Sequence, residues 1–332
     1  MRAIIPVAGV GSRLRPHTYT LPKVLLNVAG KPILGHILDK LLEEGITSAT
    51  IIVGYMGEMV EEYVRSNYSF DVEFVQQPVR EGLGHSIYLA KHILGDDPVL
   101  IILGDTIFDV DLRPVLNGDY SSLGVHHVED ARRFGVVEME GDFVSHLVEK
   151  PDVPPTNLAI VGLYFIKHPA LLGECLTELV DGDHRTRGEY QLTDALQMMI
   201  DRGEKFTTFN VEGWYDCGKP ETLLETNRHL LDRELGQPPV IPGVVVNPPV
   251  HISPTARITN AIIGPYATIA DGAVVSDAVI ADSIVGANAS VRQTMLRGSI
   301  IGNDAIVRGT YNRINAGASS ELGLGCFASD GC

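Results

Sequence analysis

The sequence is poor in cysteine and contains no long hydrophobic run. Its 332 residues include only four cysteines, and no two of them have the CxxC spacing of a metal or redox motif: Cys175, Cys217, Cys326 and Cys332. A disulfide framework and a zinc site are therefore not expected. No apolar stretch approaches the roughly 20 residues that a membrane-spanning helix needs, and residues 1–2 lead directly into an apolar strand rather than into a signal peptide. We expect a cytoplasmic protein that has no membrane partner.

Positive charge is also scarce. The chain has 26 Lys and Arg residues against 42 Asp and Glu residues, which gives a net charge of -16. A surface of this sign does not suit nucleic acid, which is itself polyanionic, so we expect no nucleic-acid partner. An acidic protein that binds a phosphorylated ligand must gather its few cations in the site, and it usually recruits a divalent metal.

The chain is organised around residues 1–31, where a glycine-rich loop follows an apolar strand. Residues 3–7 are typical of a buried parallel strand, and Gly9, Gly11, Ser12 and Arg13 come directly after them. Glycines let backbone N–H groups turn toward an anion, and Arg13 and Lys23 can place positive charge on phosphate oxygens. A dinucleotide fingerprint would need a third glycine at position 14, and a Walker A loop would end in Gly-Lys-Ser/Thr. A plain strand-to-loop turn is the alternative interpretation.

Apolar strands and amphipathic helices alternate after this loop. The periodicity predicts strands at 49–53, 72–75, 99–103, 124–128, 135–138 and 160–165, and helices at 33–44, 58–67, 82–94, 187–202 and 221–235. Residues 99–103 form the most apolar run and are predicted to be the central strand. This rhythm predicts an α/β fold with a Rossmann-like, mainly parallel sheet, whose ligands bind at the carboxyl ends of the strands.

Polar residues follow two of these strands. Gln77 has an amide that can both donate to and accept from the edge of a base, and Gly82 lets a base lie flat on the backbone. Asp105 comes after the most apolar strand, where an uncompensated carboxylate is costly and Mg²⁺ would compensate it. A solvated glutamine and a turn-capping aspartate are the alternatives.

Beyond residue 250 the sequence repeats a six-residue unit with a branched aliphatic residue first and alanine fifth. The units begin at Ile263, Ile269, Val285 and Ile301. This hexapeptide pattern predicts a short left-handed parallel β-helix, with the aliphatic side chains stacked inside a triangular coil and loops at 275–285 and 291–301. Because so short a β-helix has exposed ends, we expect a homo-oligomer that forms through it. The tail at 315–332 is predicted to cover one end or to be loosely held.

The loop motif GVGSRLRP at 9–16, the Pro-Lys pair at 22–23 and the Gly-Lys-Pro triplet at 30–32 resemble the signature of the sugar-1-phosphate nucleotidylyltransferases. The glucose-1-phosphate thymidylyl- and uridylyltransferases are the most similar, and the resemblance extends to about residue 235. Ala8 and Ser12 depart from it, because many members have glycine and threonine there; both residues are small enough for a nucleotide to approach. The resemblance implies a nucleotidyltransferase domain at 1–236. The prolines of 237–250 predict a stiff linker, and the repeat predicts a β-helix domain with its tail at 251–332.

The resemblance also implies roles for individual residues. The catalytic cations would be Arg13, Lys23 and Lys150, and two carboxylates, Asp105 and Asp216, would hold Mg²⁺. The nucleotide would be bound by Ala8, Gly9, Gly11, Ser12, Arg13, Gln77, Gly82 and Asp105. The sugar phosphate would be bound by Gly135, Glu149, Lys150, Gly162, Glu189 and Trp214. Taken alone, the Glu149–Lys150 pair would be a solvated ion pair, and Glu189 an acid near the start of a helix.

These features predict an enzyme that makes a nucleotide sugar and pyrophosphate from a nucleoside triphosphate and a sugar 1-phosphate. The resemblance favours dTTP or UTP with glucose 1-phosphate. Transfer of the guanylyl group of GTP to mannose 1-phosphate, with release of pyrophosphate, and a non-catalytic nucleotide-sugar sensor or scaffold are the alternatives. An acyltransferase in the β-helix would need a histidine base inside the coils, but His251, at the entry, is the only histidine after residue 249.

Overall fold

A computed structural model of the chain describes residues 1–233 and 236–309. The first part alternates strands and helices. Its strands are β1 (Arg2–Pro6), β2 (Asn27–Val28), β3 (Lys31–Pro32), β4 (Ser48–Val53), β5 (Asp71–Gln76), β6 (Val99–Ile102), β7 (Thr106–Asp109), β8 (Ser121–His127), β9 (Gly135–Glu140), β10 (Phe143–Glu149), β11 (Leu158–Ile166), β12 (Phe206–Asn210) and β13 (Gly213–Asp216). Its helices are α1 (Ile33–Glu43), α2 (Gly57–Asn67), α3 (Leu83–Leu89), α4 (Arg113–Leu116), α5 (Pro169–Asp181), α6 (Leu192–Asp201) and α7 (Pro220–Arg233).

A nine-stranded sheet forms the centre of this part. Its main path has the order β10-β9-β11-β6-β1-β4-β5, while β8 pairs with β11 and β12 with β8. The strands β6, β1, β4 and β5 are mutually parallel, and β11 joins them antiparallel to β6. The predicted α/β class with a parallel sheet core is therefore confirmed, and β6 lies at the middle of the path as predicted.

The central strands are apolar along their whole length because both faces of the sheet are covered. In β1 the side chains of Ala3 and Ile5 pack on one face, and that of Ile4 packs on the other. Helices α1, α2 and α7 cover the first face, and α3, α5 and α6 cover the second. The helix predicted at 82–94 ends at Leu89, because the N–H of Ala90 turns back to Ile87 and a short 3₁₀ turn follows.

The second part is a parallel β-helix, as predicted. Its strands are β14 (Val244–Val246), β15 (Val250–Ile252), β16 (Arg257–Ile263), β17 (Ala267–Ile269), β18 (Val274–Ala281), β19 (Ser283–Val285), β20 (Ser290–Arg292), β21 (Met295–Arg297), β22 (Ile300–Ile301) and β23 (Ile306–Arg308). They form two parallel ladders, β14-β16-β18-β20-β23, with β21 also on β18, and β15-β17-β19-β22. Aliphatic and alanine side chains fill the interior.

The coil turns three corners. Residues with positive φ mark each corner and recur after 16 or 17 residues, in the sets Asn260, Asp277 and Gln293; Tyr266, Asp282 and Gly298; and Gly272, Asn288 and Asp304. The loops predicted at 275–285 and 291–301 were wrong. Most of the first stretch belongs to β18 and β19, and the second contains β21, because a coil of this length has a third face that the hexapeptide pattern does not mark.

The β-helix packs directly on the first part of the chain. Asn227 of α7 is fully buried, and its Oδ1 accepts hydrogen bonds from the N–H of Ala29 at 2.9 Å and from the hydroxyl of Thr268 at 2.6 Å. The guanidinium of Arg228 donates two hydrogen bonds to Asp282. Ile284 of the β-helix belongs to the same apolar cluster as α1.

Four sequence-based predictions stay predictions. The tail at 315–332 and the end of the last helix at 235 lie outside the described residues. The domain limits at 236 and 250 are not decided, although β14 lies inside the predicted linker and pairs with β16. The homo-oligomer also stays a prediction. Among the described residues, no helix combines the length and the apolar character needed to cross a bilayer.

Candidate active site

The glycine-rich loop after β1 is shaped by a left-handed residue and by a close contact. Gly11 has φ 61°, and a Cβ there would lie 2.9 Å from side-chain carbons of both Thr18 and Lys23. The hydroxyl of Thr18 donates to the carbonyl of Gly11 at 2.9 Å. Glycine is therefore required at this position on both conformational and steric grounds, and the loop lies directly against Lys23.

Lys23 is a buried cation with a carboxylate partner. It is 7% exposed, and its Nζ lies 2.5 Å from Oδ2 of Asp105. A buried ammonium group needs such a partner because desolvation is costly. The predicted link between the glycine-rich segment and the acidic residue after β6 is thus present in the structure.

Asp216 reaches the same place through strand pairing. β13 runs antiparallel to β7, with Asp216 opposite Thr106, and the N–H of Cys217 donates to the carbonyl of Asp105 at 3.0 Å. Burial raises the pKa of the Asp216 carboxyl, and the negative charge of Asp105 raises it further. The two carboxylates therefore repel each other, and a cation between them would be stabilised.

Arg13 lies on the other side of this acidic pair. A Cβ at Gly218 would lie 2.7 Å from both Arg13 Nη2 and Asp216 Oδ1, so both groups border the same glycine. The positive charges of Lys23 and Arg13 act to lower the pKa of Asp216, opposite in sign to the effects of burial and of Asp105. The structure thus brings together Arg13, Lys23, Asp105 and Asp216.

The acidic pair fits a magnesium ion that also binds substrate. Within the described residues no group of three or more His, Cys, Asp or Glu side chains is arranged to hold a metal. Mg²⁺ is typically held by one or two carboxylates, with phosphate oxygens of the substrate and water completing the octahedron. Asp105 and Asp216 supply two hard oxygen donors of this kind, and Asp105 also pairs with Lys23, so the two carboxylates are suited to an ion whose other ligands are phosphate oxygens and water.

A cavity of about 350 Å³, here called the sheet-edge cavity, opens at the ends of β1 and β6. Six of the predicted site residues for the nucleotide or its phosphates line it: Ala8, Gly9, Lys23, Gln77, Gly82 and Asp105. Gln77 is 6% exposed, and its Nε2 approaches the carbonyl of Gly82 at 3.4 Å. Gly11, Ser12 and Arg13 are not among its lining residues and lie in the adjoining loop.

Gly82 is another position where a side chain cannot be accommodated. Its φ is 111°, and a Cβ there would lie 2.4 Å from the carbonyl oxygen of Tyr190. This contact joins the predicted base-binding loop to the segment that carries Glu189. Glu189 itself lines the sheet-edge cavity, and its Oε2 accepts a hydrogen bond from Gln191 at 3.2 Å.

Three of the predicted sugar-phosphate residues, Gly135, Glu149 and Lys150, lie together at the end of β10. Glu149 lies opposite Gly135 in the β9–β10 ladder, and a Cβ at Gly135 would be 3.1 Å from Glu149 Oε2. Lys150 Nζ lies 2.9 Å from Glu149 Oε1, and the Lys150 N–H donates to the carbonyl of Phe134. The cation, the carboxylate and the small residue therefore form one group.

Trp214 lies against this group, and Gly162 lies beside the sheet-edge cavity. The indole of Trp214 meets the ring of Phe134 edge to face, with 5.2 Å between centroids, next to Gly135. Gly162 has φ 84° in β11, and its carbonyl accepts from the N–H of Leu103 at 2.9 Å, beside the sheet-edge cavity.

Three residues of the site were missed by sequence reasoning. Arg80 and Ser86 line the sheet-edge cavity. Ser86 is 3% exposed, and its Oγ has no hydrogen-bond partner in the described part of the chain. Thr193 of α6 donates its hydroxyl hydrogen bond to Glu149 Oε2 at 2.6 Å. Ser86 and Thr193 could have been found as polar residues on the buried face of a predicted helix. No sequence pattern marks Arg80 as a site residue.

Known proteins share both sequence and fold with this chain. The nucleotidyl transferase family model matches residues 2–233. The low-salt glycan biosynthesis nucleotidyltransferase Agl11 of Haloferax volcanii is 37% identical over 242 residues, which cover 70% of this chain and 66% of that protein. The glucose-1-phosphate thymidylyltransferase of Streptomyces antibioticus is 34% identical over 326 residues, which cover 93% of this chain and 89% of that protein.

A solved structure agrees with the sequence matches. UDP-glucose pyrophosphorylase complexed with UDP-glucose superimposes with a TM-score of 0.61 and 26% identity, over 70% of this chain and 99% of that one. The matched region contains the glycine-rich loop, both aspartates and the sheet that positions them. From its sequence and its fold, this chain belongs to the nucleotidyl transferase family of enzymes.

Proposed function

We propose that the protein transfers a nucleotidyl group from dTTP or UTP to a sugar 1-phosphate, with glucose 1-phosphate as the expected sugar, and releases pyrophosphate. The observation that carries this proposal is the convergence of Arg13 and Lys23 with Asp105 and Asp216 beside the sheet-edge cavity. The names of the relatives support the same substrates, since one is a glucose-1-phosphate thymidylyltransferase and another is complexed with UDP-glucose.

The reaction is an in-line displacement at the α-phosphorus of the triphosphate. An oxygen of the sugar phosphate attacks, and the bond to the β-phosphate oxygen breaks. The attacking oxygen is already anionic, so no general base is needed, and the protein contributes position and charge. Burial raises the pKa of the Cys217 thiol to about 12, so this thiol beside Asp216 is protonated at neutral pH and does not act as a nucleophile.

The cations have separate roles in this scheme. Lys23 and Arg13 stabilise the α-phosphate and the departing pyrophosphate. Lys150 holds the phosphate of the incoming sugar, and Glu149 accepts hydrogen bonds from sugar hydroxyls. A magnesium ion held by Asp105 and Asp216 would neutralise charge on the triphosphate oxygens.

The base of the nucleotide binds in the sheet-edge cavity. Gln77 supplies an amide edge, and Gly82 supplies a flat backbone surface, beside the unpartnered hydroxyl of Ser86. UTP and dTTP differ on the base by one methyl group, which is worth only about 1–3 kcal/mol of discrimination. We therefore expect both pyrimidine nucleotides to be used.

The homo-oligomer is proposed to form on the outer face of the β-helix. Val245, Ile262, Val279 and Met295 lie in register across β14, β16, β18 and β21. Val245 and Met295 are 56% and 79% exposed, so this row is an apolar stripe on the surface. Exposed apolar stripes of this kind mark association surfaces. The proposed partner is a second copy of the chain. The proposed compartment is the cytoplasm.

The stripe is tested by Met295→Glu, with Ile306→Glu as the matched control, since Ile306 is also exposed but lies on β23 outside the stripe. Sedimentation should show a smaller species for Met295→Glu and an unchanged species for the control. Equal behaviour of the two variants, or a monomeric wild type, would contradict the proposal.

The catalytic proposal is tested by pyrophosphate release. Purified protein is assayed with dTTP, UTP, GTP and ATP against glucose, mannose and galactose 1-phosphates, with Mg²⁺ and with a chelator. We expect turnover with dTTP and UTP on glucose 1-phosphate, abolished by the chelator. Turnover confined to GTP and mannose 1-phosphate, or none with any pair, would refute the assignment.

A further inference from the structure

Two segments that are distant in the sequence form part of the rim of the sheet-edge cavity. Residues 77–84, here called the base loop, line the cavity through Gln77 and Gly82. Residues 183–190, here called the Glu189 segment, line it through Glu189. The shape of this rim therefore depends on how the two segments are held together.

The backbones of the two segments are joined at Tyr190. Its N–H donates to the carbonyl of Glu81 at 2.7 Å, and its carbonyl accepts from the N–H of Gly84 at 2.8 Å. The side chain of Tyr190 is buried. A movement of the base loop by itself would therefore break hydrogen bonds that water cannot easily replace.

Arg185 reinforces this joint with charge. Its Nη2 donates to Glu81 Oε1 and to the hydroxyl of Tyr190, each at 2.8 Å, and its Nε donates to Asp183 Oδ1 at 2.7 Å. Hydrogen bonds to Asp183 and Glu81 raise the pKa of Arg185, so the guanidinium is charged at neutral pH. One side chain therefore holds both segments at once.

This network differs from an ordinary surface ion pair. Glu81 and Arg185 are each 31% exposed, and an exposed pair by itself contributes little. Here the guanidinium carbon of Arg185 also lies 4.0 Å from the centre of the Tyr190 ring, and the Tyr190 hydroxyl donates to Asp183 at 2.6 Å. Because the guanidinium is stacked on a buried ring and shared between two carboxylates, it is preorganised to pair with Glu81.

Glu81 also connects Arg185 to the residue predicted to contact the base. Its other oxygen, Oε2, lies 3.5 Å from His85 Nε2, and His85 Nδ1 lies 3.5 Å from Gln77 Nε2. Both His85 and Gln77 are buried. A continuous set of contacts therefore leads from Arg185 at the surface to the amide of Gln77 in the cavity.

We propose that Arg185 is a positioning residue that holds the base loop against the Glu189 segment, in the arrangement in which Gln77 and Gly82 bind the base of the nucleotide. Arg185 is not among the described residues that line the sheet-edge cavity, so it acts through Glu81 rather than by touching the nucleotide. The positioning role rests on the proposed function, since it requires that the base loop binds a nucleobase.

Loss of Arg185 should weaken nucleotide binding and spare the chemical step. Without Arg185 the base loop occupies its binding arrangement for a smaller fraction of the time, and the apparent affinity falls by that fraction. Arg13 and Lys23, which act on the phosphates, belong to the glycine-rich segment and not to either of the joined segments. A uniform loss of binding raises KM and leaves kcat unchanged.

The kinetic test compares Arg185→Ala with Arg202→Ala. Arg202 is a matched control, because its side chain is 35% exposed and also pairs with two carboxylates, those of Glu174 and Glu178. We expect Arg185→Ala to raise the KM for UTP about three- to tenfold with kcat changed less than about twofold, and Arg202→Ala to change neither. In the reverse reaction, Arg185→Ala should raise the KM for UDP-glucose and leave the KM for pyrophosphate, which has no base, unchanged.

The pair with Glu81 is tested by a double-mutant cycle. Glu81→Ala should raise the KM for UTP by a similar factor, and the double variant should be no worse than either single variant, because the pair is already broken. Arg185→Lys keeps the charge but loses the planar fork, so it should recover part of the affinity. Effects that multiply in the double variant overturn the role of the pair.

The hold on the base loop is measured by amide hydrogen exchange without substrate. The N–H groups of Gly84 and Tyr190 form the hydrogen bonds that join the segments, so peptides that contain them report on the joint. Their exchange should be at least about threefold faster in Arg185→Ala and unchanged in Arg202→Ala. Circular dichroism and the melting temperature show that each variant is folded.

The outcomes separate the positioning role from the proposed function. Unchanged exchange in Arg185→Ala, an unchanged KM for UTP, or an equal rise in the KM for pyrophosphate overturns the positioning role. A lower kcat with an unchanged KM overturns it as well. Lack of turnover by the wild type with every nucleotide refutes the proposed function, and the exchange result then still decides whether Arg185 holds the base loop.

Discussion

Asn227 offers the sharpest test of how the β-helix is joined to the catalytic part of the chain. Its side chain is completely buried and holds three groups from distant segments. Oδ1 accepts from the Ala29 N–H and the Thr268 hydroxyl, and Nδ2 donates to the carbonyl of Tyr266 at 3.4 Å. Asn227→Ala removes all three hydrogen bonds while changing no charge.

The cost follows from the groups left behind. Ala29 is 4% exposed and Thr268 is 0% exposed, so neither donor can turn to bulk water. A buried donor without a partner costs about 1–3 kcal/mol, and two such donors give about 2–5 kcal/mol because the hydroxyl of Thr268 can rotate. At about 2–4 °C per kcal/mol for a domain of 150–250 residues, the melting temperature should fall by about 4–20 °C.

Arg228, the next residue, is the matched control. Its ion pair with Asp282 also joins α7 to the β-helix, but its side chain is 40% exposed. Exposed pairs are worth about 0.2–1 kcal/mol, so Arg228→Ala should lower the melting temperature by at most about 4 °C. Calorimetry or circular dichroism at pH 7, where Arg228 is charged, gives both values.

A double variant distinguishes the buried hydrogen bonds from a general packing effect. Thr268→Val alone should cost about 1 kcal/mol, because it removes one hydrogen bond. In the Asn227→Ala background the same change should recover part of the loss, because it removes the hydroxyl that was left without a partner. Equal losses for Asn227→Ala and Arg228→Ala, or simple addition in the double variant, would refute the reasoning.

Three further substitutions test the active site. Thr193→Val removes the hydrogen bond to Glu149 and should raise the KM for the sugar phosphate about tenfold, with Thr193→Ser restoring it; an equal KM in Thr193→Val contradicts the positioning role. Ser86→Ala should stabilise the protein, because it removes a buried hydroxyl without a partner, while lowering kcat/KM for the preferred triphosphate about tenfold; an unchanged base preference argues against contact with the base. Asp216→Asn should lower turnover at least about 100-fold. Burial and the charge of Asp105 raise the pKa of Asp216 in the folded protein. The ionised carboxylate therefore destabilises the folded protein at pH values above this pKa. The effect is absent below the pKa of the unfolded chain, where the carboxyl group is protonated in both states. In a chelator, Asp216→Asn should therefore melt higher than the wild type at pH 7, with the difference shrinking toward pH 4.

Local patterns in the sequence predict much of the fold. The strands around residues 3–7, 49–53 and 99–103 are apolar throughout because both of their faces are buried, and the helices between them carry apolar stripes. The repeat after residue 250 marks the inward positions of a coil. These signals depend on residues a few positions apart, so they survive without tertiary information. These signals fail where part of the structure has no sequence pattern of its own, as on the third face of the β-helix, which the hexapeptide pattern does not mark and to which part of β18 belongs.

The candidate site likewise has one part that local sequence motifs predict and another part that depends on the tertiary structure. Gly9, Gly11, Arg13 and Lys23 lie in one short segment whose motifs predict phosphate binding, and Gly82 lies in the loop predicted to bind the base. The meeting of Asp105 with Asp216 and the support that Thr193 gives to Glu149 depend on residues far apart in the chain.

The sequence by itself determined the α/β rhythm, the glycine-rich segment and the repeat, because each is imposed by backbone geometry over a single turn, strand or coil. Only the tertiary structure decided which charges face one another and where the β-helix docks. Those outcomes depend on the pairing of β7 with β13 and on the buried side chain of Asn227, which no local period records.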